Sequence, residues 1–230
     1  LHPPHRIKQN CCSFITKTLK KNKDEKTGET KNGIVLKMQH EEVTMQSKKV
    51  YYHRAGSAFS STLFASQLMQ LTEQYFSSKP DIPIFFLCIG SDRVLGDSLG
   101  PIIGYKLEKM LLHPFQVFGT LSRPVHAINL CPTLLRLSTL HRAPLTIAID
   151  ASIGKKESVG CITLSNRSIR PGTGVSKRLP QIGQISITGI VSEDCFDVSS
   201  RLQNIRLGLV MELADCICNG IKTYQEMLIS

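Results

Sequence analysis

The chain has 230 residues, 41% hydrophobic and 20% charged, with a formal net charge of +10. That is long enough for one α/β domain with a sizeable core, and no apolar run approaches the roughly 20 residues of a membrane helix. The charge does not point to a nucleic-acid-binding domain: residues 1–50 hold 11 Lys+Arg against 5 Asp+Glu, and residues 51–230 hold 17 against 13.

Residues 1–50 are polar, basic and without hydrophobic period, which predicts a disordered tail or a mis-assigned start; Met38 and Met45 are candidate starts. Nucleic acid would be met only through this tail. Leu1-His2-Pro3-Pro4-His5 lacks the apolar core of a secretory signal, and the chain is expected in the cytoplasm. Residues 51–230 are expected to form the single α/β domain.

Within that domain Phe59, Leu63, Phe64, Leu68, Leu71 and Tyr75 predict an amphipathic helix from about Ser57 to Ser78, stopped by Lys79-Pro80-Asp81. Ile84 to Ile89 reads as a buried strand. A helix follows from Ser98 to about His113, with Asp97 at or beside its N-cap. Phe115–Phe118 reads as a short strand, Val125 to about Leu140 as a helix, and Pro144–Asp150 as the next strand. Val159–Leu164 and Gln184–Val191 are further strands, separated by the glycine-containing loop Ile169–Val175. Ser199 to about Leu228 is a long helix. Helices alternating with buried strands predict a three-layer α/β/α sandwich around a mostly parallel, twisted sheet.

Eight scattered cysteines without a CxxC pair point to buried free thiols in a reducing compartment, rather than a disulfide framework or a zinc site. Gly90, Gly96 and Gly100 do not make the GxGxxG of a dinucleotide loop. No GxSxG is present, and no His follows residue 141 to serve a serine nucleophile. Two carboxylates stand out. Asp97 follows the first buried strand and Asp150 ends a later one, the edge where open α/β sheets build their sites. Asp97 reads equally as a helix cap. Asp92 is a third carboxylate, able to orient the other two or to cap the loop. His126 reads as a helix-end side chain or as a proton shuttle or metal ligand near the carboxylates.

Several blocks in fixed order then resemble a known family. They are Cys88-Ile-Gly-Ser-Asp-Arg, Gly96-Asp-Ser-Leu-Gly-Pro101, Pro124-Val-His-Ala-Ile-Asn129, Ile149-Asp150-Ala151, Arg170-Pro-Gly-Thr-Gly-Val175 and Ile185-Ser-Ile-Thr-Gly-Ile-Val191. Over residues 50–228 the chain resembles the YyaC-type spore protease family of endospore-forming bacteria. That family is similar to the germination protease and, more remotely, to the hydrogenase maturation peptidases, which implies a phosphorylase/hydrolase-like, HybD-like fold.

The resemblance implies that Asp97 and Asp150 are the catalytic pair, with Gly90, Asp92, Gly96, His126, Gly172, Gly174 and Thr188 as cleft or supporting residues. It implies a sporulation-associated peptidase, without cofactor, acting in the forespore or spore core on a protein or peptide such as a small acid-soluble spore protein. In such a pair one carboxyl holds a proton while the other acts as base, and N–H groups of the Gly90–Gly96 loop or of the following helix start are the expected oxyanion donors. Nickel is not implied, because no histidine follows Asp150. The alternatives are a non-catalytic module that binds a spore protein, and a metal-dependent peptidase using Asp97, Asp150 and His126.

Overall fold

The computed structural model describes residues 48–78, 82–140, 144–171, 179–194 and 205–229. They form an α/β fold with four helices and one mixed sheet of six strands. In chain order these are β1 (Val50–Arg54), α1 (Ser61–Ser78), β2 (Ile84–Cys88), α2 (Leu99–Met110), β3 (Gln116–Phe118), α3 (Leu130–Leu140), β4 (Leu145–Gly154), β5 (Cys161–Ser165), β6 (Ile185–Glu193) and α4 (Leu207–Ile229). The sheet order is β1-β5-β6-β4-β2-β3. The pairings β2/β3, β2/β4 and β4/β6 are parallel, whereas β5/β6 and β1/β5 are antiparallel.

β2 is apolar throughout because both its faces are covered. Ile84, Phe86 and Cys88 join the larger core with residues of α1, α2 and α4. Phe85 and Leu87 point the other way, against Leu130 and Leu137 of α3. The same alternation runs along β4, where Ile147 and Ile149 face the larger core and Ala148 the smaller. Ser60 starts α1 by accepting the Leu63 N–H on its hydroxyl at 3.2 Å.

Several elements differ from the sequence expectation. β1 was not anticipated; it is an edge strand whose Val50 and Tyr52 are exposed while His53 is buried, so one face alone carries the apolar signal. α3 starts at Leu130 rather than Val125. Val125 instead makes a parallel bridge to Ile89, and Pro132 fits the first turn of the shortened helix, where no N–H is required. β4 does not stop at Asp150 but runs to Gly154, because β6 continues to pair with it past a bulge at Ser152/Ile153. The sheet is more mixed than expected, since two of its five pairings are antiparallel. The expected start of α4 near Ser199 lies outside the described residues. Cys88, Cys161, Cys216 and Cys218 are free thiols as expected, but Cys131 is disulfide-bonded, which corrects that reading at one position.

Candidate active site

The loop after β2 turns back on itself, and Gly90 makes the turn possible. Its φ is +141°, and a Cβ there would stand 2.0 Å from the carbonyl oxygen of Asp97. Gly100 permits a second close approach, its virtual Cβ lying 2.0 Å from the Ile89 carbonyl oxygen. The start of α2 therefore sits directly on the end of β2. Between them a single 3-10 turn, Leu95–Asp97, contains the buried Gly96 and presents Asp97.

Asp97 is not the helix cap. Ser98 holds that position without a side-chain capping bond, and its hydroxyl donates to the Leu95 carbonyl at 2.6 Å. The Asp97 carboxyl is thus free of the structural duty that made its role ambiguous in sequence. Its pKa is raised to about 6, chiefly because the loop takes it out of water, with the Ser91 N–H pulling the other way.

Asp150 lies one residue beyond the last β2/β4 pair, Cys88 with Ile149. On its β2 side the sheet has already opened, while on its β6 side it still pairs with Thr188. Among the described residues its carboxylate accepts the Ala151 N–H, at 2.8 Å. Protein crowds the group although an edge stays open to solvent. Burial first, and the charge of Asp97 second, push its pKa well above the usual carboxylate range. The two aspartates therefore sense one another across the open end of β2 and β4.

The remaining candidates take different places. Thr188 belongs to the site's wall: its hydroxyl meets Thr163 Oγ1 at 2.7 Å and accepts from Ser152 Oγ at 3.2 Å. Thr163, Thr188, Asp150 and Ser152 line one face of the sheet. Ser152 and Thr163 were not anticipated; the two-residue spacing of Asp150 and Ser152 along one strand was the available signal. Asp92 is exposed in the turn. Gly172 and Gly174 lie outside the described residues.

His126 lies just after Val125, whose carbonyl accepts the Gly90 N–H at 2.8 Å. It sits in a turn rather than a helix, with Nδ1 accepting the Ile128 N–H at 3.3 Å. It lines a cavity of about 520 Å³ between β3 and α3, which neither aspartate lines. Among the described residues no three His, Cys, Asp or Glu side chains converge as a metal set, so His126 does not complete one with the pair. Four of the amides around the loop are already engaged. The Gly90, Ser91, Asp97 and Ser98 N–H groups donate to the carbonyls of Val125, Asp97, Val94 and Leu95.

A family model described as a protein of unknown function, DUF1256, matches residues 57–220. The chain belongs to this family. Both aspartates, His126 and Thr188 fall inside the matched stretch. The chain is also similar to the uncharacterized protein YyaC of Bacillus subtilis (strain 168), with 41% identity over 157 residues that cover 68% of this chain and 77% of that protein. Among the described residues of this DUF1256 member, no helix is long and apolar enough to cross a membrane.

Proposed function

We propose that this DUF1256 protein is a peptidase in which Asp97 and Asp150 activate water against a peptide bond. The observation that carries the reading is the pair at the open end of β2 and β4, where burial raises both carboxyls and the charge of Asp97 adds to the shift of Asp150. A helix cap or a solvated surface pair would account for neither feature. The parallel β3-β2-β4-β6 core, with α1, α2 and α4 on one face and α3 on the other, fits a HybD-like α/β/α sandwich. The spore setting and a spore-protein substrate rest on the family resemblance of the motif blocks.

The chemistry uses the two protonation states separately. Asp97, ionised, takes a proton from water as the water oxygen bonds to the scissile carbonyl carbon. Asp150 donates its proton to the carbonyl oxygen, which neutralises the charge that an oxyanion would carry. The tetrahedral intermediate then collapses. The C–N bond breaks, the proton held by Asp97 passes to the leaving amine, and a hydroxyl proton returns to Asp150.

The test is cleavage of small acid-soluble spore proteins and of a spore protein extract, with fragments identified by mass spectrometry. Asp97→Asn and Asp150→Asn should each lower the rate by about 10²-fold or more. Full cleavage by either variant would overturn the pair. Protection of a bound substrate without fragments would leave a binding module in its place.

A further inference from the structure

We infer that the cavity between β3 and α3 is a substrate subsite that takes a peptide carboxylate; this rests on the peptidase reading above. The cavity, about 520 Å³, has the size of an ordinary small-ligand pocket. Its polar lining is Thr120, Arg123, His126, Asn129, Thr133 and Arg136, and no acidic side chain lines it.

The hydrogen bonds sort these groups into those that build the pocket and those that remain to bind. Asn129 is structural: its Oδ1 accepts the His126 N–H at 2.8 Å and its Nδ2 donates to the Pro124 carbonyl at 2.8 Å. Thr133 Oγ1 donates to the Asn129 carbonyl at 2.8 Å. Thr120 Oγ1 closes the turn against the Arg123 N–H at 3.2 Å. His126 accepts on Nδ1, which leaves the proton on Nε2 as a donor. Arg123 spends part of its guanidinium on Glu108 at 2.5 Å. Arg136 makes no ion pair among the described residues and lines the cavity from α3. The uncommitted groups are therefore donors and positive charge, which suit the planar, bidentate geometry of a carboxylate.

Position links this cavity to the peptide chemistry. His126 follows Val125, whose carbonyl accepts the Gly90 N–H, and the next amide, Ser91, meets Asp97. The cavity wall and the aspartate loop thus share the carboxyl end of β2. A substrate residue held there would be fixed relative to the bond that Asp97 and Asp150 attack. Its carboxylate can come from an acidic side chain or from the chain's own C-terminus.

The two sources separate with three peptides: Ac-Ala-Glu-Ala-NH₂, Ac-Ala-Gln-Ala-NH₂ and Ac-Ala-Ala with a free C-terminus. Binding is followed by NMR at the amides of Gly119, Thr120 and His126 in the full chain and in the Asp97→Asn/Asp150→Asn variant, which binds without turnover. At least one carboxylate peptide should bind about tenfold or more tightly than the Gln peptide, and Arg136→Gln should remove that preference. Tighter binding of the Glu peptide assigns a side chain, and of the free acid a C-terminus. Equal binding of all three, or a preference that survives Arg136→Gln, overturns the subsite. Carboxylate binding without cleavage of any protein would instead retain the subsite and sink the peptidase reading.

Discussion

At the residue scale, the two aspartates are held in a state that costs stability. A buried carboxyl with a raised pKa binds its proton more tightly in the folded chain than in the unfolded one. Its contribution is fully present below the unfolded value, near 3.8, and is lost as pH rises through about 6 for Asp97. Above pH 6 the protein therefore carries a desolvated charge that an amide would not. Asp97→Asn is expected to raise Tm by a few degrees at pH 7.5, and the gain should shrink toward pH 4. Scanning fluorimetry across that range measures it, and an unchanged or lower Tm at pH 7.5 would show that the carboxylate is not strained. A side chain that destabilises its own fold is placed by function more readily than by folding.

At the scale of elements, the site depends on strands that end at different places. β2 stops at Cys88 while β4 and β6 continue, so Asp150 faces an open edge on one side and a hydroxyl-bearing wall on the other. Thr188 links that wall, bonded to both Thr163 and Ser152. Thr188→Val should leave those hydroxyls without their shared partner and cost about 1 kcal/mol, read as a lower urea midpoint at unchanged m-value. No change would mean that solvent replaces the link. Much of this was legible: β2, β3 and α2 fall where apolar runs and the Ser-Leu-Gly-Pro turn place them. What was not legible was extent. Val125 is apolar enough for a helix, but its bond to Gly90 draws it into the sheet, and the apolar pattern of β4 does not reveal where its neighbours stop. Likewise β1 is too short and too exposed to signal itself without β5 beside it.

At the scale of the whole molecule, α1 and α4 come from opposite ends of the described chain and close one face of the sheet. Tyr224 of α4 donates to Thr72 of α1 at 3.0 Å in the buried core. His53 of β1 is enclosed at the margin of the same layer, its ring edge-on to Phe64 at 5.2 Å and to Phe59 at 5.9 Å. Burial lowers its pKa, and the neighbouring Gln67 side chain opposes this only in part. A histidine kept neutral by the fold contributes stability above its unfolded value of 6.5, and that contribution falls away as pH drops below it. The slope is opposite in sign to that of Asp97. His53→Leu should flatten the loss of stability on acidification from pH 7 to 5, in chemical denaturation at each pH. An unchanged slope would move its source to another group.

The amino-acid sequence by itself determined the class of this protein: alternating apolar runs and amphipathic helices can bury their faces only as an α/β sheet with helices on it. It also nominated Asp97 and Asp150, because carboxylates that follow buried strands must find a partner or solvent. Only the tertiary structure decided that Asp97 is free of the helix cap, that its charge acts on Asp150, and that His126 lines a cavity that neither aspartate lines. Those are matters of distance between segments some fifty residues apart. They were settled by where Gly90 lets the loop fold back and by how far each strand runs before its neighbour ends.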